Sequence, residues 1–220
     1  MADTIDLLAA GPILDDMVRT IVDNADRLNS LDGATGDGDH GVNMSKGFRR
    51  TAQKLALAPQ GLGDGFGMLA ETLLDEIGGS MGPLYGSFFL DMSTVLRGRT
   101  TLDREGFATM LRAGVAAVVD LGEGQLGDKS LVDVLVPARD AFEAAAARHD
   151  SFSGCLAAMD AAAEQGFEAT RDLVARIGRA SRLGERSRGH LDAGAASCRL
   201  LLHALAEGLE RQLADRVGAA

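Results

Sequence analysis

The chain has 220 residues, of which 46% are hydrophobic and 25% are charged, and its formal net charge is −10. This composition predicts one globular domain over residues 1–220. It argues against binding to nucleic acid or anionic lipid, because both need a basic surface. No apolar run approaches the ~20 residues that span a membrane. The first residues lack the basic start of a secretory signal and only two cysteines are present, so we expect a cytoplasmic protein.

Apolar residues recur at helical spacing through most of the chain, and only four prolines are available to interrupt helices. This pattern predicts an all-α fold of eight helices arranged as an antiparallel bundle or barrel. No segment alternates between apolar and polar residues as a half-buried strand would. In chain order, the helices are predicted to begin near Thr4, Gly41, Asp64, Pro83, Asp103 (as an N-cap), Asp128, Phe152 and Asp192; the first, fifth, seventh and eighth are predicted to end near Leu28, Leu121, Ile177 and Val217.

The connection after the first predicted helix, residues 31–41, is acidic and rich in glycine. It places Asp32, Asp37 and Asp39 close together, and such carboxylates repel one another unless a cation lies between them. The glycines allow bends tight enough to aim several oxygens at one point. The distal glutamate of an EF-hand is missing, so these few hard ligands favour magnesium shared with a phosphate. The same residues, taken alone, also fit an ordinary solvated turn.

Glycine clusters fall on alternate connections between the predicted helices, and in an up-and-down array alternate connections share one end. Four loops should therefore meet on one rim, each leading into a helix whose free N–H groups favour an anion. Arg179 is our candidate for stabilising a transferred phosphoryl group, and Lys129 is a weaker one. Taken singly, the glycines also fit helix caps, and the arginines also fit a solvated face. The clusters lie at 36–41, 78–86, 122–127 and 178–194, and the other rim cations are Arg182, Arg186 and Arg188.

Four ordered motifs carry a resemblance to a known family. They are residues 36–44 (Gly-Asp-Gly-Asp-His-Gly-Val-Asn-Met), 78–86 (Gly-Gly-Ser-Met-Gly-Pro-Leu-Tyr-Gly), 127–135 (Gly-Asp-Lys-Ser-Leu-Val-Asp-Val-Leu) and 178–195, which opens Gly-Arg-Ala-Ser-Arg. Together they resemble the nucleotide-binding L subunit of dihydroxyacetone kinases, and the match covers nearly the whole chain.

This resemblance implies an eight-helix barrel that binds ATP or ADP across one end through two magnesium ions. It implies that Asp32, Asp37 and Asp39 hold the metals, and that Gly127 and Leu131 lie along the base pocket. His40 is either a base or, as we favour, an orienting residue beside the nucleotide. The full set implied at the nucleotide is His40, Gly41, Val42, Asn43, Met44, Gly79, Ser80, Met81, Gly127, Leu131, Arg179, Asp192, Ala193 and Gly194.

The resemblance also implies that the acceptor is not held on this chain. In the family a separate K subunit, or K domain, binds a short-chain ketose through a histidine, and the L subunit delivers phosphate to it. Two donors stay open: exchangeable ATP, or bound ADP that a phosphotransferase-system protein rephosphorylates. The resemblance does not decide whether the ketose is dihydroxyacetone or a tetrulose, or whether the chain forms a homodimer.

Three positions depart from the family pattern. Met81 stands where serine is usual, which puts a hydroxyl contact near the phosphates in doubt, although a backbone N–H remains there. Ala193 replaces a frequent proline, and Arg182 stands where tyrosine is usual. These changes fit a branch that acts on another ketose. They also leave open a nonenzymatic nucleotide-sensing module that binds a regulator through its rim.

Overall fold

The computed structural model describes residues 4–218, and helices make up nearly all of its regular structure. This confirms the predicted all-α class. Two three-residue strands are the exception within the described residues. The α-helices are α1 (Pro12–Asp23), α2 (Ala25–Gly33), α3 (His40–Leu57), α4 (Leu62–Glu76), α5 (Met81–Leu96), α6 (Arg104–Gly122), α7 (Val132–Ala147), α8 (Phe152–Ala169) and α9 (Ala193–Gly218); the strands are β1 (Thr4–Asp6) and β2 (Thr101–Asp103), and two 3₁₀ helices span Thr170–Asp172 and Arg179–Ser187.

Eight of the helices form a closed ring, as predicted. In ring order α1, α3, α4, α5, α6, α7, α8 and α9 each contact the next, and α9 contacts α1 again. The remaining helix, α2, packs against α3 and α9. The connections after α2, α4, α6 and α8 all contribute residues to one cavity, so they lie at one end of the ring, as the glycine clusters predicted, and successive ring helices run in opposite directions. We call this end the rim.

Aromatic side chains fill the centre of the ring. Phe107 and Phe142 have ring centroids 4.7 Å apart, and Phe66 and Phe89 have centroids 5.4 Å apart. All four are fully buried. Burial of each such side chain stabilises the fold by roughly 1.5–3 kcal/mol, so the amphipathic faces that define the helices also hold the ring closed.

The end opposite the rim is covered by the two strands, which pair antiparallel with Ile5 opposite Leu102. Both of these side chains are fully buried. Asp103 then starts α6, its carboxylate accepting the Gly106 N–H at 2.8 Å, which confirms the predicted N-cap. None of the helices in residues 4–218 is long and apolar enough to cross a membrane.

The prediction of a first helix from Thr4 to Leu28 is wrong. Residues Thr4–Asp6 form a strand instead, because pairing with a segment about a hundred residues away overrides their local pattern. The helical stretch is also interrupted at Asn24, whose side-chain amide donates to the Thr20 carbonyl at 2.9 Å. The chain resumes as α2, which carries Asp32.

Two predicted boundaries on the rim are also wrong. The sixth helix begins at Val132 and not near Asp128, because Lys129 has a left-handed backbone (φ 64°) that no helix accommodates. The seventh ends at Ala169 and not near Ile177. The remaining starts lie within about two residues of their predicted positions, which is the usual uncertainty of helix ends.

Candidate active site

A cavity of about 560 Å³ opens on the rim, and all four rim connections contribute to its wall. The connection between α2 and α3 contributes carboxylates, and the segment after α8 contributes Arg179. The wall also has an apolar part, which is made by Met81, Pro83, Leu84, Leu121, Leu131 and Ile177.

The acidic group is Asp32, Asp37 and Asp39. One carboxylate oxygen from each lies within 4.8 Å of the others, although Asp32 is partly buried and the other two are exposed. Asp32 folds the loop around itself, because its Oδ2 accepts the N–H groups of Gly38 at 2.8 Å and Asp39 at 3.0 Å. Gly36 permits this, since a Cβ there would lie 2.5 Å from Asp32 Oδ1. Three oxygens so placed fit around a small, hard cation such as magnesium.

Arg179 lies against this acidic group. Its guanidinium contacts Asp37, and its Nη1 lies 3.9 Å from Asp39 Oδ1. About half of each of these three side chains is exposed, so the contact is worth little to stability. Its importance is one of position, because any anion held by the three carboxylates through a cation would lie within reach of the guanidinium.

Ser197 on α9 joins the floor of the cavity into one hydrogen-bonded network. Its Oγ lies 2.9 Å from His40 Nε2 on α3 and 2.8 Å from the Tyr85 hydroxyl on α5, and it donates to the Gly194 carbonyl at 3.0 Å. A serine hydroxyl has one proton and two lone pairs, so these three bonds are satisfied together when His40 carries its proton on Nε2. The network therefore fixes three helix starts relative to one another.

His40 has the environment of an orienting group. Burial lowers its pKa, and this outweighs the opposite effect of the nearby charges of Asp32 and Asp39. The imidazole is therefore neutral at pH 7, and one of its nitrogens is engaged by Ser197. This arrangement agrees with the orienting role that we favoured from the sequence.

Lys129 does not point to a phosphate as the sequence suggested. Its side chain is 2% exposed, and its Nζ donates to the carbonyls of Ser187 (2.6 Å), His190 (2.6 Å) and Leu173 (3.2 Å). All three ammonium protons are therefore used. Burial also lowers its pKa. Lys129 thus ties the connection after α6 to the segment that carries Arg179.

Asp133 is a structural residue of the rim that the sequence reasoning missed. It is 6% exposed, and its carboxylate accepts the N–H groups of Gly127 at 2.6 Å and Ser130 at 2.8 Å. The Ser130 hydroxyl in turn accepts the Val132 N–H at 3.2 Å. The spacing Ser-x-x-Asp at 130–133 is that of a capping box, a signal visible in the sequence.

The cavity wall contains most of the predicted site residues but not all. Gly41 lies against α2, where a Cβ would collide with the Ala25 carbonyl, and Met44 is buried in the core. Val42 is 58% exposed, and Gly127 holds its loop through Asp133. These four do not line the cavity. The predicted residues that do are Asp32, Asp37, Asp39, His40, Asn43, Gly79, Ser80, Met81, Leu131, Arg179, Asp192, Ala193 and Gly194.

Four apolar residues of the wall, Pro83, Leu84, Leu121 and Ile177, were not predicted as site residues. Leu121 is 52% exposed, so its side chain is accessible from the cavity. Leu121 stands at the rim end of α6, so an apolar residue at a helix end was the signal that would have found it. Ile177 lies beyond the end of α8, and the sequence pattern gave no such signal for it.

Asp192 precedes α9, and its carboxylate accepts the Ala195 N–H at 2.8 Å. Burial raises its pKa to about 6, although that hydrogen bond and the charge of Lys129 act in the opposite direction. The carboxylate therefore costs stability when it is charged.

Comparison with known proteins identifies the family. The DAK2 domain family matches residues 34–207, which include all four rim connections and two of the three acidic residues, Asp37 and Asp39. The chain belongs to the DAK2 domain family. This confirms the resemblance drawn from the four sequence motifs.

Particular relatives narrow the class further. The chain is 37% identical over 207 residues to the ADP-binding subunit of a PEP-dependent dihydroxyacetone kinase from Listeria innocua, covering 91% of this chain and 94% of that protein. It is 38% identical over 180 residues to the corresponding subunit from Escherichia coli, covering 81% and 86%. It is also 34% identical to the L-erythrulose 1-kinase of Mycolicibacterium smegmatis, but covers only 35% of that longer protein. The relatives are kinases or kinase subunits.

Solved structures agree with this fold. The dihydroxyacetone kinase of C. freundii, determined in complex with AMP-PNP and Mg²⁺, superimposes with a TM-score of 0.68 at 27% identity. The match covers 90% of this chain and 33% of that one. The barrel described above therefore corresponds to about a third of that longer chain.

The raised pKa of Asp192 predicts a pH-dependent stability. In the folded state the neutral form is favoured, so the native protein loses stability as pH rises from about 4 to about 6. Asp192→Asn removes this charge and keeps an oxygen for the Ala195 N–H. We expect its stability advantage over the native chain to grow by about 1–2 kcal/mol between about pH 4.5 and pH 7.5, measured by urea unfolding. Asp91→Asn, an exposed change on α5, is the control; an advantage independent of pH would contradict the assignment.

Proposed function

We propose that this chain is the ADP-binding subunit of a dihydroxyacetone-type kinase, transferring phosphate from a magnesium nucleotide to a short-chain ketose held on a separate K subunit. The observation that supports this most is the rim cavity, where three clustered carboxylates, Arg179 and helix starts meet an apolar wall. It occurs in a chain 37% identical, over nearly its whole length, to an ADP-binding kinase subunit.

The cavity has separate places for the two ends of a nucleotide. Leu84, Leu121, Leu131 and Ile177 offer an apolar surface for the base. The starts of α3, α5 and α9 supply backbone N–H groups and positive dipole ends for the phosphates. At residue 81 the methionine side chain cannot donate, so only the backbone there is available to a phosphate.

Asp32, Asp37 and Asp39 would hold magnesium, and we propose two ions as in the sequence interpretation. Bound magnesium neutralises charge on the phosphate oxygens. The contribution of the chain itself is to keep the three carboxylates together and to hold Arg179 beside them. A guanidinium in that place stabilises the charge that develops on the phosphoryl group during transfer.

The side chains at the cavity leave no obvious place for a covalently held ketose. His40 is engaged by Ser197, and the three protons of Lys129 are used by carbonyls. Lys129 is therefore not available as a nucleophile without breaking these hydrogen bonds. This supports an acceptor that arrives on another protein, which would also exclude water from the transfer.

We further propose that the donor is the phosphoenolpyruvate-dependent route, with ADP remaining bound. The support is the names of the relatives that the chain matches along most of their length, in Listeria innocua and Escherichia coli. A cytoplasmic location and a single domain over residues 1–220 are part of the same proposal.

Reconstitution tests the function. The purified chain should form no ketose phosphate alone, and should do so when mixed with a K subunit from the same genome. Supplying ATP in one assay, and phosphoenolpyruvate with the phosphotransfer proteins in another, identifies the donor. Robust turnover by the isolated chain, or none in any mixture, would refute the proposal.

Asp37→Asn tests the metal assignment. Because Asp37 is exposed and contacts Arg179, its replacement should leave helix content and melting temperature unchanged. We expect magnesium-dependent ADP binding, measured by calorimetric titration, to weaken by roughly tenfold or more, since loss of even an outer partner of a metal site costs about that. Asp91→Asn serves as the charge control. Unchanged affinity would remove Asp37 from the site.

Arg179→Ala separates catalysis from binding. If the guanidinium acts on charge that develops during transfer, kcat in the reconstituted reaction should fall by roughly a hundredfold or more, while the affinity for ADP changes much less. Arg97→Ala, an exposed change at the end of α5 away from the rim, is the control. Equal losses in both quantities would show that Arg179 only binds the nucleotide.

A further inference from the structure

The segment between α8 and α9, residues 170–192, has a charge opposite to that of the whole chain. It carries six arginines against three acidic residues, whereas the chain as a whole has a formal charge of −10. Four of its consecutive residues, 177–180, lie in the cavity wall. A positive surface therefore stands beside the mouth of the cavity.

Three of these six arginines form ion pairs within the fold. Arg171 pairs with Glu168, Arg188 pairs with Glu185, and Arg179 contacts Asp37. The other three are Arg176, Arg182 and Arg186, which we call the arginine surface. All three are exposed, none of them lines the cavity, and none is paired with any side chain that the structure describes.

The backbone that carries the arginine surface is held firmly. Lys129 binds three of its carbonyls from inside, as described above. The Arg176 N–H donates to the Asp128 carbonyl at 3.0 Å, and the Gly189 N–H donates to the Arg171 carbonyl at 2.8 Å. The segment is therefore held at both ends, and its arginines are attached to a backbone of defined position and not to a flexible loop.

Two of the other three rim connections carry charges of the opposite sign, and the connection before α5 carries none. The connection before α3 carries Asp37 and Asp39, and the connection before α7 carries Glu123 and Asp128. Lys129, the one cation of that second connection, is buried. The mouth of the cavity is thus positive along residues 170–192 and negative along the connections before α3 and α7, so a partner that covers it meets charges of both signs.

We propose that the arginine surface docks an acidic face of the ketose-carrying K subunit and sets the orientation in which that subunit covers the cavity. This inference rests on the proposed function, because it concerns the partner that function requires. The nucleotide is not the occupant, since the three arginines lie outside the cavity wall. A partner rotated on the rim would bring its acidic face against Asp37 and Asp39, where like charges repel.

Exposed charges of this kind act mainly on association. They accelerate encounter and select its orientation, and salt screens them over a Debye length of about 8 Å at physiological ionic strength. The arginine surface should therefore influence the concentration of K subunit needed for half-maximal rate, and should have little influence on the chemical step.

The test compares two double charge reversals of the full chain in the reconstituted kinase assay. Arg182→Glu with Arg186→Glu alters the arginine surface, and Arg49→Glu with Arg97→Glu makes the same charge change at exposed sites away from the cavity wall. For the first variant we expect KM for the K subunit to rise about tenfold or more, with kcat at saturation, ADP affinity and melting temperature close to the native values. Its KM should also depend less on salt between about 0.05 and 0.3 M.

Three results would overturn the docking proposal. One is a KM no higher than in the control variant, and another is an unaltered salt dependence. The third is a matching loss of ADP affinity, which would assign these arginines to the nucleotide. If the unaltered proteins show no turnover, the proposed function fails, and direct binding of the K subunit to the native and reversed chains then decides the docking: equal or absent binding refutes it.

Discussion

The up-and-down order of the ring is the constraint on which the site depends. Because neighbouring helices alternate in direction, the starts of α3, α5, α7 and α9 all face the rim. Each start brings the positive end of its helix dipole to the same opening. The acidic connection before α3 then lies among positive helix ends, which suits a site where anionic phosphates and a cation must be held together.

The rim is built from buried polar groups, which is expensive unless every bond is made. Lys129, Asp133 and Ser197 are each almost fully buried, and each makes two or three hydrogen bonds. The bonds of Lys129 and Ser197 link different rim segments, whereas those of Asp133 hold one connection in its conformation. The core thus supplies stability, and the polar network fixes where the loops stand.

Much of the fold was predictable from the sequence, because the helices of the ring are amphipathic and the periodicity is a local property. Asp32, Asp37 and Asp39 were predictable for a similar reason, since they are close in sequence. The strand at Thr4–Asp6 was not, because its partner lies far along the chain. Nor was the role of Lys129, whose three carbonyl partners come from a segment with no regular pattern.

The strands at the far end bear on how this barrel can be joined to other domains. Both β1 and the end of α9 lie opposite the rim, and α3, with 18 residues, separates the two ends by about 27 Å. A domain attached at either point leaves the cavity open. To contact the cavity, that domain needs a linker that extends along the side of the barrel. An extended linker of roughly eight residues or more covers that distance. Lengthening a flexible linker beyond this lowers the effective concentration of the tethered domain at the cavity only slowly. Covalent joining is therefore a workable alternative to a separate subunit in this architecture.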